Sequence, residues 1–402
     1  MNQVLLTVSG VIKKSIREQI ANGERPMADY IQMAETFEAD LIDYDKAREL
    51  SGRWGKLFEK LFGINFLLAY VCFQLRHKYR VIFTDGEQVG IPLAIFLKYF
   101  GRKSSDKTEE ERAAAHLMIV HILSVPKKQI FFDYLGIHTH VDVFFVYSTW
   151  QKTFIEERWG VEPERVVWTP FMVDGEFFSP NAVLEDIRPK LNLNYPGLPL
   201  ICAIGLEFRD YPTLVEAVDG LDVQVVIAAG SPWSKRDDTT DGYQIPDNVL
   251  VQRFSQFELR ALYAASEFVV MPLYHVDFQA GVTAILEAMA MGKAVVCTST
   301  PGQTDCITHD ENGYYVPPED PQTLRIAINY LANNPEEAKR MGQRGRDRIE
   351  NEMSLKWYVR RFEQYVRRYG WQNESNEALD LLVDESLILE GGSAEIKNII
   401  HD

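Results

Sequence analysis

The sequence contains few cysteines and has no excess of positive charge. Its four cysteines are scattered and form no C-x-x-C pair, so neither a disulfide framework nor a zinc site is indicated. Cys202 and Cys297 lie in apolar runs, where we expect buried, reduced thiols. Lys and Arg number 42 against 58 Asp and Glu, a net charge of −16. Contact with nucleic-acid phosphates needs a basic surface, so this balance argues against nucleic acid as a partner.

Long hydrophobic segments are also absent. The longest apolar run, Ile64 to Phe73, is well below the roughly 20 residues that span a bilayer. The start, M-N-Q-V-L-L-T-V-S-G, lacks the basic and apolar regions of a signal peptide, so we expect a cytoplasmic protein. No G-x-G-x-x-G follows the first predicted strand, which argues against a bare Rossmann dehydrogenase.

Short apolar runs instead alternate with helical patterns along most of the chain. A length of 402 residues is too great for one ordinary core, so two domains are expected. Strands that alternate with helices, without repeated hairpin signals, predict parallel, doubly wound sheets of the α/β class. The predicted strands are Val4–Val8, Ala39–Asp43, Arg80–Thr84, His116–Val120, Val141–Val146 and Arg165–Trp168, then Ile201–Gly205, Val223–Ala229, Val249–Gln252, Phe268–Met271, Ala294–Thr298 and Gly313–Val316.

The same patterns predict where the domains begin and end. Helical spacing is expected from Val11 to Ala21 and over a long stretch from about Trp54 to His77. Three prolines within 181–199 indicate a linker between a first domain, 1–180, and a second, 200–353. An amphipathic helix with an aromatic stripe fills 354–371, and an acidic tail occupies 372–402.

The stretch from Asp277 to Thr298 combines the features of an anion site. Gln279 lies in a loop, Gly281 makes a tight turn, and a helix that carries Glu287 opens near Val282. The first N–H groups of a helix are unpaired and lie at the positive end of its dipole, so they attract anions. This arrangement suits the diphosphate of a nucleotide sugar.

Three successive motifs make the interpretation more specific. They are E-A-M-A-M-G-K-A-V-V, P-G-Q-T-D-C-I and D-E-N-G-Y-Y-V-P-P-E-D-P, with looser support from F-V-Y-S-T-W-Q and V-D-G-E-F-F-S-P in the first half. Together they resemble the motifs of the family-4 retaining glycosyltransferases. The resemblance implies the GT-B fold, in which two Rossmann-like domains face each other across a cleft and a C-terminal helix crosses back to the first domain.

The resemblance also implies roles for individual residues. Glu287 would hold the ribose hydroxyls, Arg209 would neutralise the donor diphosphate, and His121 would line the cleft near the transferred sugar. Position 279 departs from the family, because the first glutamate of E-x7-E is here Gln279, which supplies no negative charge. The predicted catalytic residues are His121, Arg209 and Gln279. The predicted donor-binding residues are Gly10, Arg209, Gly230, Ser231, Arg253, Gln279, Ala280, Gly281, Val282, Thr283 and Glu287. No metal ligands are expected, since the histidines lack suitable spacing.

The resulting hypothesis is a retaining, metal-independent hexosyltransferase that needs no cofactor. It would move a sugar from a nucleotide-diphosphate donor to the hydroxyl of a glycan, a lipid-linked glycan or a small molecule. The alternatives are a nucleotide-sugar epimerase of the same fold and a catalytically weak nucleotide-sugar-binding partner protein, which Gln279 would favour. A weak peripheral contact with an anionic membrane is a further alternative for the arginines of the C-terminal helix and the apolar stretch Leu57–Phe73. The oligomeric state, the sugar and the acceptor stay open.

Overall fold

The computed structural model describes residues 3–101, 114–183, 185–228 and 245–371. These residues form two parallel sheets of six strands each, which confirms the predicted α/β architecture of two doubly wound domains. The first sheet has the order β2-β1-β3-β4-β5-β6. Its strands are β1 (Val4–Thr7), β2 (Asp40–Ile42), β3 (Val81–Thr84), β4 (Ala115–Val120), β5 (Val143–Val146) and β6 (Val166–Trp168).

The helices of the first domain differ in several bounds from the expectation, and α2 was not predicted. They are α1 (Ile16–Ala21), α2 (Asp29–Thr36), α3 (Tyr44–Phe62), α4 (Ile64–Leu75), α5 (Glu87–Phe100), α6 (Pro126–Leu135) and α7 (Thr149–Trp159). Helix α1 begins five residues later than Val11, because the N–H of Ile12 is held in a loop by Asp43 at 2.9 Å. The long helix predicted from about Trp54 to His77 begins earlier, at Tyr44, and is bent at Gly52, which has the non-helical φ 65°. Gly63, with φ 88°, ends α3 and separates it from α4.

The second sheet repeats the pattern with the order β12-β11-β10-β7-β8-β9. Its strands are β7 (Leu200–Ile204), β8 (Gln224–Ala228), β9 (Val249–Gln252), β10 (Phe268–Met271), β11 (Ala294–Thr298) and β12 (Gly313–Val316). Its helices are α8 (Tyr211–Val218), α9 (Gln256–Ala265), α10 (Val282–Ala290), α11 (Pro321–Asn333) and α12 (Pro335–Arg348). Ligands of such sheets bind beyond the carboxyl ends of the strands, where the loops to α8 and α10 lie.

Helix α13 (Leu355–Gly370) returns to the first domain, as expected. Tyr358 and Phe362 of its aromatic stripe are fully buried in the first-domain core, and the Phe362 ring lies 4.6 Å from that of Phe145. The chain crosses between the domains where Val173 pairs with Ser354 in a parallel bridge. The domain limits themselves stay a prediction.

Two further features of the described residues concern chemistry and location. Cys202 and Cys297 are buried free thiols, as predicted, and so are Cys72 and Cys306. Burial raises the pKa of the Cys202 thiol to about 12. Within the described ranges, no helix is both long and apolar enough to cross a membrane.

Candidate functional site

The start of α10 has the open geometry expected of an anion site. Gly281 precedes the helix with φ 73°, a left-handed conformation that glycine adopts without strain. Ile285 donates its N–H to the Gly281 carbonyl at 3.1 Å, which closes the first turn. Among the described residues, no acceptor pairs with the N–H groups of Val282, Thr283 or Ala284. These donors lie at the positive end of the helix dipole, beside the exposed Thr283.

Two glycines place the Arg209 guanidinium at this helix start. A Cβ built on Gly205 would lie 2.5 Å from Nη2 of Arg209, and one on Gly281 would lie 3.1 Å from the same atom. Gly205 also has φ 104°, so a side chain there would be strained as well as crowded. The guanidinium therefore lies between the turn after β7 and the turn before α10.

Arg209 is a buried cation whose described partners are uncharged. It is 5% exposed, and it donates from Nε to the Ile204 carbonyl at 2.9 Å and from Nη1 to the Glu207 carbonyl at 2.8 Å. No carboxylate forms a salt bridge with it within the described part of the chain, and burial lowers its pKa. A buried cation beside free N–H groups favours an anionic ligand strongly.

Glu287 lies in α10 and accepts a hydrogen bond from one tyrosine. It is 8% exposed, and its Oε2 accepts a hydrogen bond from the Tyr263 hydroxyl of α9 at 2.8 Å. Burial raises the pKa of Glu287 to about 7, although the Tyr263 hydrogen bond opposes the rise. Sequence reasoning missed Tyr263, because nothing in its apolar helix distinguishes it from an ordinary core aromatic residue.

Gln279 occupies the loop that leads into α10. Its Nε2 lies 3.6 Å from Sγ of Cys306, a weak contact, and its Oε1 is buried without a protein partner. The side chain of the fully buried Gln303, in the loop after β11, acts on the Cys306 thiol but forms no hydrogen bond of ordinary geometry within the described part of the chain. Gln279 therefore offers a buried, free amide oxygen to a polar ligand in this loop.

The first domain contributes Glu87 and His121 from the ends of β3 and β4. Glu87 is 1% exposed and accepts from the N–H of His121 at 2.9 Å, the N–H of Ile122 at 3.2 Å and Nζ of Lys128 at 2.5 Å. Burial acts to raise the pKa of Glu87, but His121 and Lys128 outweigh it and hold the pKa below its usual value. The His121 ring is exposed, with its Nε2 2.9 Å from the Asp85 carbonyl oxygen.

Two contacts bring the domains together at the site. The Ser124 hydroxyl donates to Asp277 at 3.1 Å, which joins the loop after β4 to the loop that carries Gln279. Asp305 accepts from the N–H of Thr149 at 3.0 Å and from its hydroxyl at 2.8 Å, at the start of α7. The loop that begins at His121 thus lies opposite the Gln279 loop.

The other predicted site residues fall in three groups. Ala280, Val282 and Thr283 surround the Gly281 turn, together with Arg209 and Glu287. Gly10 follows β1 in the first domain, where its carbonyl accepts the N–H of Tyr44 at 3.0 Å. Arg253 is exposed after the edge strand β9, and Gly230 and Ser231 lie outside the described residues. In the described ranges, no cluster of three or more His, Cys, Asp or Glu could hold a metal ion.

Comparisons with known sequences relate the second domain to a transferase family. Residues 208–348 match the family model Glycosyl transferases group 1. The D-inositol 3-phosphate glycosyltransferase of Corynebacterium urealyticum is 24% identical over 278 residues, which are 64% of this chain and 60% of that protein. The D-rhamnosyltransferase WbpZ of Pseudomonas aeruginosa is 27% identical over 184 residues, 45% of this chain and 47% of that protein. The chain thus matches 60% or less of the length of either relative.

Solved structures extend the likeness to the whole fold. Sucrose-phosphate synthase from Thermosynechococcus elongatus superposes with a TM-score of 0.67 at 19% identity, over 91% of this chain and 98% of that chain. HepE of Anabaena, in complex with UDP and glucose, gives a TM-score of 0.64 at 14% identity, over 91% and 99% of the two chains. The fold of this chain is GT-B.

Proposed function

We propose that this chain is a glycosyltransferase that moves a sugar from a nucleotide-diphosphate donor to an acceptor hydroxyl and retains the anomeric configuration. One observation carries the proposal. The buried Arg209 guanidinium, without a described carboxylate partner, lies against the Gly281 turn that opens α10. The family match at residues 208–348 and the UDP named with HepE support a nucleotide sugar as its ligand.

The donor would bind along α10. Its diphosphate would meet Arg209 and the free N–H groups of Val282 to Ala284, and its ribose hydroxyls would donate to Glu287. A carboxylate is an acceptor-only group, which suits the two hydroxyls of a ribose. Those hydrogen bonds would favour the ionised form of Glu287 and offset the burial that raises its pKa to about 7.

Transfer would break the bond between the anomeric carbon and a phosphate oxygen and form a bond from that carbon to the acceptor oxygen, whose proton would pass to the leaving diphosphate. Negative charge then develops on the leaving diphosphate, where a cation and N–H groups fixed beforehand stabilise it. No metal ion is required in this scheme, because Arg209 and the helix start supply the positive charge. His121 would line the sugar site from the first domain. The contact of Ser124 with Asp277 would hold the cleft closed against water, which limits hydrolysis of the donor.

Gln279 should affect donor binding and the rate of transfer differently. Its amide can bond sugar hydroxyls, but it cannot stabilise positive charge at the anomeric carbon as a carboxylate would. We propose transfer with this amide in place, supported by its buried Oε1, which has no described protein partner and can accept from a sugar hydroxyl. An epimerase would release an altered nucleotide sugar without an acceptor, and a silent binding protein would bind the donor without turnover.

The experiment begins with thermal shifts of the purified chain in UDP-, GDP-, ADP- and dTDP-sugars. Selective stabilisation identifies the donor, because a ligand that binds only the folded state stabilises it by mass action. Release of the nucleoside diphosphate is then measured with and without sugar acceptors, and NMR of the product reports its anomeric configuration.

Gln279→Glu is assayed beside the natural chain. Lys339→Gln, on the exposed surface of α12, is the control for effects of mutagenesis and purification. The expected result is turnover by the natural chain and an equal or higher rate for Gln279→Glu. The proposal is wrong if neither protein hydrolyses or transfers any of the four donors. A product with inverted anomeric configuration would contradict only the retaining mechanism and would leave the proposed transfer reaction standing.

A further inference from the structure

Helix α3 presents an apolar face that no other part of the described chain covers. Between the bends at Gly52 and Gly63, its side chains at spacings of three and four residues are largely exposed. Trp54 is 79% exposed, Leu57 49%, Leu61 66% and Phe62 56%. Large apolar side chains exposed together on one helix face indicate a binding surface, whereas isolated ones do not.

A row of cations runs beside this apolar face. Arg53, Lys56 and Lys60 each directly precede an apolar residue of the face, so the two rows lie about 100° apart around the helix. All three are exposed, and none forms a salt bridge with an acid among the described residues. The nearby Glu59 is paired with Arg48 at 2.8 Å, so the row keeps its positive charge.

We infer that this surface of α3, Arg53 to Phe62, docks the chain on an anionic lipid membrane. The Trp and Phe rings and the leucines would enter the boundary between headgroups and acyl chains. The Lys and Arg side chains would extend their charged ends to the lipid phosphates. The inference does not depend on the proposed transfer reaction, since it concerns a different surface.

Charge favours a membrane over a second copy of the chain as the occupant. The whole chain carries −16, and an anionic surface would attract the three cations of this patch while repelling the acidic parts of the chain. A second copy packed antiparallel on the same face, across a two-fold axis perpendicular to the helix, would bring its own Arg53, Lys56 and Lys60 beside these cations. Like charges held together in this way would oppose dimerisation.

The position of α3 relates docking to the cleft. Its start is held by Asp43, which accepts the N–H groups of Lys46 at 2.8 Å and Ile12 at 2.9 Å. The N–H of Tyr44 also binds the carbonyl of Gly10, in the turn after β1. Ten residues separate Tyr44 from Trp54, and the helix between them is broken at Gly52, so the two residues lie at most roughly 20 Å apart. Docking would therefore bring the first-domain side of the cleft close to the lipid surface.

Vesicle flotation with the full chain tests the inference. Vesicles of phosphatidylcholine alone are compared with vesicles that also contain phosphatidylglycerol, at low and high salt. We expect binding to the anionic vesicles only, weakened by salt. Trp54→Ser with Leu61→Ser should lower this binding at least tenfold, roughly, because two apolar anchors are lost. Neutralising Lys56 and Lys60 to Gln should lower it about fivefold for each lysine.

The matched controls are Ile326→Ser with Tyr330→Ser on α11, which are also exposed apolar residues, and Lys339→Gln on α12. These should bind like the natural chain. The α3 variants should keep its melting temperature because the changed side chains are exposed, whereas the α11 control should lose a little stability because the Tyr330 ring packs against that of Tyr314. Equal binding to both kinds of vesicle, no binding, or an equal loss in the controls would overturn the inference. If the natural chain is a dimer that does not bind vesicles, and the double variant Trp54→Ser with Leu61→Ser is monomeric, the face serves self-association instead.

Discussion

Among the described residues, each side of the cleft contains one buried glutamate, and the two differ in what surrounds them. Glu87 accepts from two backbone N–H groups and from the Lys128 ammonium, and its pKa is held below the usual value. Glu287 accepts only the Tyr263 hydroxyl among the described donors, and burial raises its pKa to about 7. The same residue type is thus fully partnered in one domain and underpartnered in the other.

The cations follow the same division. Lys128 is paired with Glu87, whereas Arg209 is buried with carbonyl partners only. When a buried charge has a protein partner of opposite sign, removing that partner destabilises the folded state, because an uncompensated charge stays buried. A buried charge without one lowers stability until a ligand arrives. We therefore interpret the first-domain pair as a support that orients the His121 loop, and the second-domain residues as ligand groups.

Removing the cation from each side should give the largest contrast. We expect Arg209→Gln to lower kcat/KM for transfer about 10²- to 10³-fold, as loss of one fixed donor to a developing anion does elsewhere. Its melting temperature should stay the same or rise, because an unpaired buried cation is removed. Steady-state kinetics and thermal unfolding measure both.

Lys128→Gln is the corresponding variant in the first domain, since it also replaces a cation by a neutral amide. It should lower the unfolding free energy by about 2 to 3 kcal/mol, because Glu87 keeps its charge without its cation. Its effect on kcat/KM should be smaller than that of Arg209→Gln. Equal kinetic losses in the two variants would contradict the division into support and ligand groups.

Replacing each glutamate by the neutral glutamine should change the free energy of unfolding by different amounts. Glu87→Gln leaves Lys128 unpaired and replaces an acceptor of three hydrogen bonds, so the unfolding free energy should fall by about 2 to 3 kcal/mol at neutral pH. Glu287→Gln should not be destabilised there, since its amide oxygen can still accept from Tyr263. Urea unfolding at pH 7 distinguishes the two, and the comparison fails if Glu287→Gln loses more than Glu87→Gln.

The pH dependence of stability should have opposite signs for the two residues. An unfolded glutamate loses its proton near 4.5, whereas Glu287 in the folded chain loses it near 7. Between these values the folded state binds more protons, so the contribution of Glu287 to stability is lost as pH rises. Glu287→Gln should therefore gain stability relative to the natural chain by up to about 3 kcal/mol across this window.

Glu87 should behave in the reverse way. Its pKa is lowered on folding, so its contribution is present above pH 4.5 and is lost as pH falls through the folded value. The penalty of Glu87→Gln should consequently shrink in acid. Unfolding series of both variants from about pH 2.5 to pH 8 cover both windows and check the signs. Parallel curves would show that the two environments do not differ.

The elements of this fold could be predicted from the sequence because strands buried on both faces read as continuous apolar runs. Ala294–Thr298 is such a run and is β11 residue for residue. The Gly281 turn and the start of α10 at Val282 were likewise visible, since glycine is the residue a left-handed turn requires. The break at Gly63 was also present in the sequence, but the apolar spacing on both sides of it favoured one helix.

The partners of the charged residues could not be predicted, because they come from distant parts of the chain. Tyr263 reaches Glu287 from another helix, 24 residues away, and Lys128 reaches Glu87 over 41 residues. Composition shows only that these side chains exist. Whether a buried carboxylate is satisfied depends on the packing of helices, which local periodicity does not specify.

Tyr263→Phe should give the smallest effect and tests the one partner that Glu287 has. The Tyr263 hydrogen bond lowers the pKa of Glu287, so its loss should raise that pKa further and leave more of the carboxyl protonated at neutral pH. Affinity for the nucleoside diphosphate should fall by less than about tenfold at pH 7 and recover partly at pH 8.5, where the carboxylate is ionised again. Isothermal titration at the two pH values measures this, with Tyr330→Phe on the exposed face of α11 as the matched control. A loss of affinity that is the same at both pH values would mean that Tyr263 acts by packing alone, because only a change in the ionisation of Glu287 makes the loss depend on pH.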